Sequence, residues 1–189
     1  NSLTNAKNKW IAARSIYGIT EAFRFYGGPI DGVNKYGEEG PEGLINAWPL
    51  NEAYIDYVKD SPNAGIINNL SLEINNDTII AANMSEDDAD VSSGWHAIEF
   101  LLWGQDFSLE SAGIREASDY LPTNEINIRR RAYLVATSAL LLEHINWLSM
   151  EWLENGEGRK AFLDKNDPGG AILTGIATLA GFELSSERI

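Results

Sequence analysis

Cysteine is absent from the 189-residue chain. Disulfides and thiolate–metal sites are therefore excluded, and a metal would be held through oxygen and imidazole, a donor set that suits iron, zinc, manganese or calcium. Histidine is almost as scarce, with two residues, His96 and His144. Basic residues are few: 14 Lys and Arg stand against 28 Asp and Glu, a net charge of −14. That balance argues against a nucleic-acid backbone or an anionic membrane surface as partner. No apolar run approaches the ~18 to 20 residues needed to span a bilayer. The opening Asn1-Ser-Leu-Thr-Asn is not a signal peptide and lacks an initiator Met, so a trimmed form is expected.

Apolar and aromatic material is plentiful. A hydrophobic fraction of 44% with six Trp, seven Tyr and six Phe predicts a folded chain, with one sizeable core or two small helical units sharing one. No segment carries the two-residue period of a strand. The expected class is all-α, with antiparallel helical bundles of unequal helices. The most informative stretch is Trp95–Trp103, apolar almost all round except for His96 and Glu99. Ser92 or Ser93 can cap its start and Gly104 its end, which predicts a short interior helix. The i, i+3 spacing places imidazole and carboxylate on one face. Such a pair is either a buried hydrogen-bonded couple or a metal or catalytic site, since Glu and His three residues apart are a known carboxylate–metal device.

Along the rest of the chain, a first helix is expected over residues 4–26. Ala12, Ile16, Ile19, Phe23 and Tyr26 form an apolar stripe that should face a core. Trp10, Arg14, Tyr17, Glu21 and Arg24 form the opposite face, which reads as semi-buried, packing on another helix or lining a cleft. Gly27-Gly28-Pro29 ends this helix, and residues 30–47, including Gly37-Glu-Glu-Gly-Pro41, read as a loop. Pro49 is placed to open a helix to about Lys59. Residues 66–83 suit one or two short helices, and the acidic run 85–90 a solvated loop.

A second loop covers residues 105–123. A long helix is expected from about Asn124 to Asn155. The cluster Arg129-Arg-Arg131 near its start opposes the helix dipole and calls for acidic partners or a bound anion. His144 reads as a core or boundary histidine. A last helix follows Pro168-Gly169-Gly170, its small residues allowing close approach of a neighbour. On it Ile172, Ile176, Leu179, Glu183 and Glu187 share one stripe, pointing carboxylates inward. The chain stops at Ile189 without a cap, as if cut within an element.

Gly94-Trp-His-Ala-Ile-Glu-Phe-Leu-Leu-Trp-Gly-Gln-Asp106 resembles the Gly-x-His-x-x-Glu motif of the imelysin-like family. Trp10-Ile-Ala-Ala-Arg14, Tyr17-Gly, Thr20-Glu-Ala-Phe-Arg-Phe25, Gly28-Pro-Ile-Asp31, Ile45-Asn-Ala-Trp-Pro-Leu50 and Glu183-Leu-x-x-Glu187-Arg188 are similar to further blocks of that family, in the same order. Imelysin itself is known as an insulin-cleaving bacterial membrane peptidase, and its relatives include iron-regulated envelope proteins. The resemblance implies a bacterial periplasmic protein or an outer-membrane or cell-surface lipoprotein, its anchor lying outside this chain. It also implies two bundles related by duplication, with the His-x-x-Glu helix at a cleft. Residues 1–189 would be the N-terminal half or a fragment of such a domain, and a second fragment after Ile189 would complete the fold.

On this footing three functions are open. The first is iron-linked or other metal binding, with His96, Glu99 and Glu21 as metal residues and Arg14, Tyr17, Arg24, Trp103 and Glu183 lining the cleft. The divalent metal would be iron or zinc. The second is a metallopeptidase, in which a metal activates water. His-x-x-Glu supplies at most two of the three ligands that zinc hydrolysis needs, and no nucleophile, general base or oxyanion donor stands out. The third is a module that binds a peptide or other ligand without a metal.

Overall fold

The computed structural model describes residues 2–37 and 40–187, apart from the side chains of 183, 184, 186 and 187. Glu38 and Glu39 of the first expected loop, and the side chains of Glu183 and Glu187, thus lie outside the described residues. Among the described residues eight α-helices follow one another: α1 Ser2–Ile19, α2 Glu42–Ile45, α3 Glu52–Ile55, α4 Asn76–Ala82, α5 Gly94–Trp103, α6 Glu125–Glu151, α7 Glu157–Leu163 and α8 Pro168–Thr178. A π-helical stretch, Leu179–Glu187, continues from α8. Among the described residues there is no strand, and the protein is all-α. No helix among them is long and apolar enough to cross a membrane. The chain divides into two compact units, Asn1–Trp10 with Leu44–Glu143, and Ile11–Gly43 with His144–Ile189.

The first unit is built around a core of Ile55, Ile66, Ile67, Ile79, Ala97, Phe100, Leu101, Tyr133 and Leu140. These come from α3, a 3₁₀ turn at Ile66–Asn68, α4, α5 and α6, so short elements are gathered by burial rather than by helix propensity. Fully burying one such aliphatic or aromatic side chain contributes about 1.5–3 kcal/mol.

The helix expected from Pro49 to Lys59 is only the single turn Glu52–Ile55. Asp56, the next residue, is extended (φ −149°, ψ 176°) and fully buried. Its carboxylate accepts from Arg115 Nη1 at 2.8 Å and Arg130 Nε at 2.6 Å, and the backbone leaves the helix to reach them. This ion network also answers the Arg129-Arg-Arg131 cluster. Arg130 has the acidic partner expected of it. Arg129 instead donates to the carbonyls of Ile66, Ile67, Asn69 and Leu72, tying α6 to the 3₁₀ turn.

Near this network the Glu52 carboxyl is pushed above its ordinary range, chiefly by burial, against the opposing effects of Gln105 and Arg115. A carboxyl with a raised folded-state pKa favours the folded state at low pH, and that advantage is lost as pH rises through the folded pKa. Glu52→Gln should therefore be mildly stabilising at pH 7, within about 0.5 kcal/mol because solvent still screens this half-buried group. The gain should vanish in acid, where Glu52 is protonated anyway. Urea midpoints at the two pH values check this.

In the second unit, the part of α1 from Ile11 onward departs from expectation in two ways. It ends at Ile19, where Thr20 Oγ1 donates to the Tyr17 carbonyl at 2.7 Å and residues Thr20–Phe23 tighten into a 3₁₀ turn. The helical part of the stripe expected in the core is also turned out: Ala12 is exposed, as are Ile16 (70%) and Ile19 (77%), whereas Phe23 and Tyr26, beyond the helix, are half-buried against Phe162. The face that is buried carries Tyr17, Glu21 and Arg24. Aromatic area and paired charges, not the aliphatic stripe, take the inner position.

The long helix closes at Glu151, and Gly156, expected to end it, instead precedes the unforeseen α7. The small residues of α8 do allow close approach, since a Cβ on Gly175 would fall 2.6 Å from the Ala22 carbonyl oxygen. The α8 start is capped by the Asp167 side chain, which accepts from Gly170 N, with Pro168 in the first turn.

Candidate functional site

Helix α5 is held from several sides of the first unit. Gly94, Trp95, Ala97, Ile98, Phe100, Leu101 and Leu102 are all buried. Ser93 occupies the cap position without a side-chain capping bond, because its Oγ donates to the Leu44 carbonyl at 3.1 Å. Ser92 Oγ donates to the Ile79 carbonyl at 2.6 Å, and the Ser92 carbonyl accepts from the Tyr133 hydroxyl at 2.7 Å. The serines expected as caps are thus anchors that fix where α5 begins. Trp10 donates from Nε1 to the Trp95 carbonyl at 3.1 Å. Its ring packs edge-on against Trp95 and Trp103, with centroids 5.9 and 5.3 Å away.

His96 and Glu99 meet as their spacing implied, with Nδ1 3.1 Å from Oε2. Their environments differ: the His96 side chain is 13% exposed and that of Glu99 44%. Glu99 is therefore not the buried carboxylate expected from the apolar run, since its face of α5 opens outward. With the proton on Nδ1, the imidazole donates to Glu99 and keeps a lone pair on Nε2. That atom is buried and has no hydrogen-bond partner among the described residues. The half-exposed Trp48 lies tilted by 60° over the imidazole at 4.9 Å between centroids. Trp48 belongs to the Ile45–Leu50 block, but nothing in its spacing pointed to His96.

The remaining predicted residues fall in the second unit, apart from Trp103, which packs on Trp10 with Lys7 Nζ 5.5 Å from its ring. Glu21 is engaged by Arg14, 2.9 Å away, and Arg24 by Glu42, 3.2 Å away. Arg14 also lies 5.2 Å from the Tyr17 ring. Burial first, then the charges of Glu42 and Glu21, push the Tyr17 phenol above its usual range, so it stays protonated. Glu21 is thus half of a buried ion pair with Arg14. Glu42, in the expected loop, is the member of this cluster that no periodicity signalled. The side chain of Glu183 lies outside the described residues. Among the described residues no three His, Cys, Asp or Glu are grouped as a metal cage.

An all-α chain in which a buried helix presents a carboxylate-oriented imidazole defines the class. The chain belongs to the imelysin family: the family's sequence model, Peptidase M75 (Imelysin), matches residues 1–189. No curated protein matches the sequence.

Proposed function

We propose that this chain is a metal-linked binding protein of the bacterial cell envelope, in which His96 Nε2 is the metal-ligating atom and Glu99 orients the ring. The observation that carries the reading is the asymmetry of the imidazole. One nitrogen is held by a carboxylate, while the other is buried without a partner among the described residues. Metal-ligating histidines typically donate their second ring N–H to a carboxylate or carbonyl, which fixes the tautomer and raises basicity. An orphaned buried nitrogen is otherwise a cost.

Imidazole with oxygen donors suits iron or zinc, and iron agrees with the iron-regulated relatives that the sequence resembles. The described residues supply His96 and, by rotation of a half-exposed side chain, Glu99. Further donors would be water or groups beyond the described residues, including a second fragment of the same protein. A bound metal would supply charge for capturing an anionic or carbonyl ligand. The envelope location rests on the family.

Calorimetric titration of metal-free protein with Fe(II) under argon, and with Zn(II), tests this. Saturable binding should disappear in His96→Ala and weaken by about 10- to 100-fold in Glu99→Gln, the usual effect of losing an orienting carboxylate. Absence of saturable binding by the wild-type chain overturns the proposal. A peptidase reading draws on the same atom, because a free Nε2 also suits a general base. It would be favoured by protein hydrolysis that His96→Ala abolishes.

A further inference from the structure

The second unit contains a groove of about 430 Å³ that the His96 reading does not use. A volume of this order is typical of small-ligand sites. Its aromatic lining comes from Tyr26, Trp147 and Phe162, and its cations are Lys35 and Lys165. The rings of Tyr26 and Phe162 pack edge-on, 5.6 Å between centroids, which keeps the wall rigid. Gly28, also in the lining, lies directly under the Tyr26 phenol, and a Cβ there would fall 2.4 Å from the hydroxyl.

Three observations point to an anionic occupant. Lys165 Nζ sits 5.2 Å from the Tyr26 ring centroid, and Lys35 Nζ sits 4.7 and 5.3 Å from those of Tyr36 and Trp147. Both ammonium groups are thus pre-positioned on aromatic faces. Among the described residues neither has a carboxylate within ion-pair distance, although this chain carries 28 acidic residues. The two carboxylates of the lining are already engaged, Glu151 by the Gly158 N–H at 3.0 Å and Glu157 by Lys160 at 2.7 Å. The third observation is the Tyr26 hydroxyl, buried and without a hydrogen-bond partner among the described residues. Burial, then Asp31, pushes this phenol above its ordinary range, so it remains a donor.

We infer that this groove binds a small aromatic carboxylate, its ring against Trp147 and Phe162 and its carboxylate at Lys35, Lys165 and the Tyr26 hydroxyl. The ligand class follows from the walls: flat apolar faces take a planar body, and two ammonium groups without a carboxylate partner among the described residues, with a neutral donor, take a carboxylate. The groove lies wholly within the second unit and is independent of His96, so either reading can fail without the other.

The test is an amide-detected NMR titration of the wild-type chain with 2-naphthoate, with the uncharged 2-naphthamide as control. Saturable shifts should concentrate on Gly27, Gly28 and Gly158. The amide should bind at least about tenfold more weakly, as expected for losing one charge-assisted contact. The double variant Lys35→Gln/Lys165→Gln alters exposed side chains only and should weaken 2-naphthoate binding to a similar degree. Three outcomes overturn the inference: no saturation up to about 10 mM, a range in which even weak specific binding would register; shifts centred elsewhere; or equal affinity for acid and amide.

Discussion

Asp56→Ala should lower the stability of the first unit by about 3–5 kcal/mol, the usual cost of breaking a buried ion pair by removing one partner. Asp56 has no exposed surface, and its two oxygens accept from Arg115 Nη1, Arg130 Nε and Arg130 Nη2 at 2.8, 2.6 and 3.1 Å. Both guanidiniums are themselves buried, and the Tyr57 ring lies 5.0 and 5.1 Å from them. Without the carboxylate, two buried cations that had shared one oxygen are left beside each other, with Asp119 at 3.5 Å from Arg115 as a marginal substitute. A natural domain has only about 5–15 kcal/mol of stability in all, so a loss of this size removes much of the margin. Urea denaturation followed by circular dichroism reads it directly. Asp56→Asn keeps the shape and some acceptor capacity and should cost less. Equal midpoints for wild type and Asp56→Ala would show that the network contributes specificity without net stability.

Gly94→Ala should be nearly as damaging, by about 2–5 kcal/mol when an unfavourable backbone conformation and an overpacked contact are combined. Gly94 opens α5 at φ +86°, a region that residues with a Cβ rarely adopt. Its Cβ would also fall 2.5 Å from the Ile45 carbonyl oxygen and 2.7 Å from the Ile45 carbonyl carbon. Both atoms are backbone and cannot rotate away, so α2 or the start of α5 must move. Because His96 lies two residues on, the substitution should also displace the imidazole and weaken the proposed metal binding more than a remote change of equal destabilisation. Thermal melting gives the first effect, and the calorimetric titration, run well below the melting temperature, the second. A variant that melts with the wild type would remove the steric reason for glycine in the Gly-x-His-x-x-Glu motif.

Much of the local architecture was legible along the chain, because it depends on residues close in sequence. The all-α class follows from the absence of two-residue periodicity. The His96–Glu99 pair follows from a three-residue spacing that any α-helix turns into one face. The interior position of α5 follows from an apolar run interrupted only by His96 and Glu99, and the packing of α8 from its small residues, whereas the helix expected up to Gly27 stops at Ile19.

What the tertiary structure decided depends on partners far away in sequence. Pattern alone could not say which stripe of α1 turns inward, because an aliphatic stripe and an aromatic, charge-paired stripe are both able to be buried. Glu42, 18 residues beyond Arg24, settled it within the second unit. The early end of α3 has the same origin, since Asp56 meets Arg115 and Arg130 from 59 and 74 residues away. Only the fold could reveal that Glu99 faces outward while His96 Nε2 is shut in, because exposure belongs to the surroundings of a helix and not to its spacing. The sequence by itself determined that an imidazole and a carboxylate would meet. The packing around α5 determined which nitrogen of that imidazole was left with a lone pair to offer.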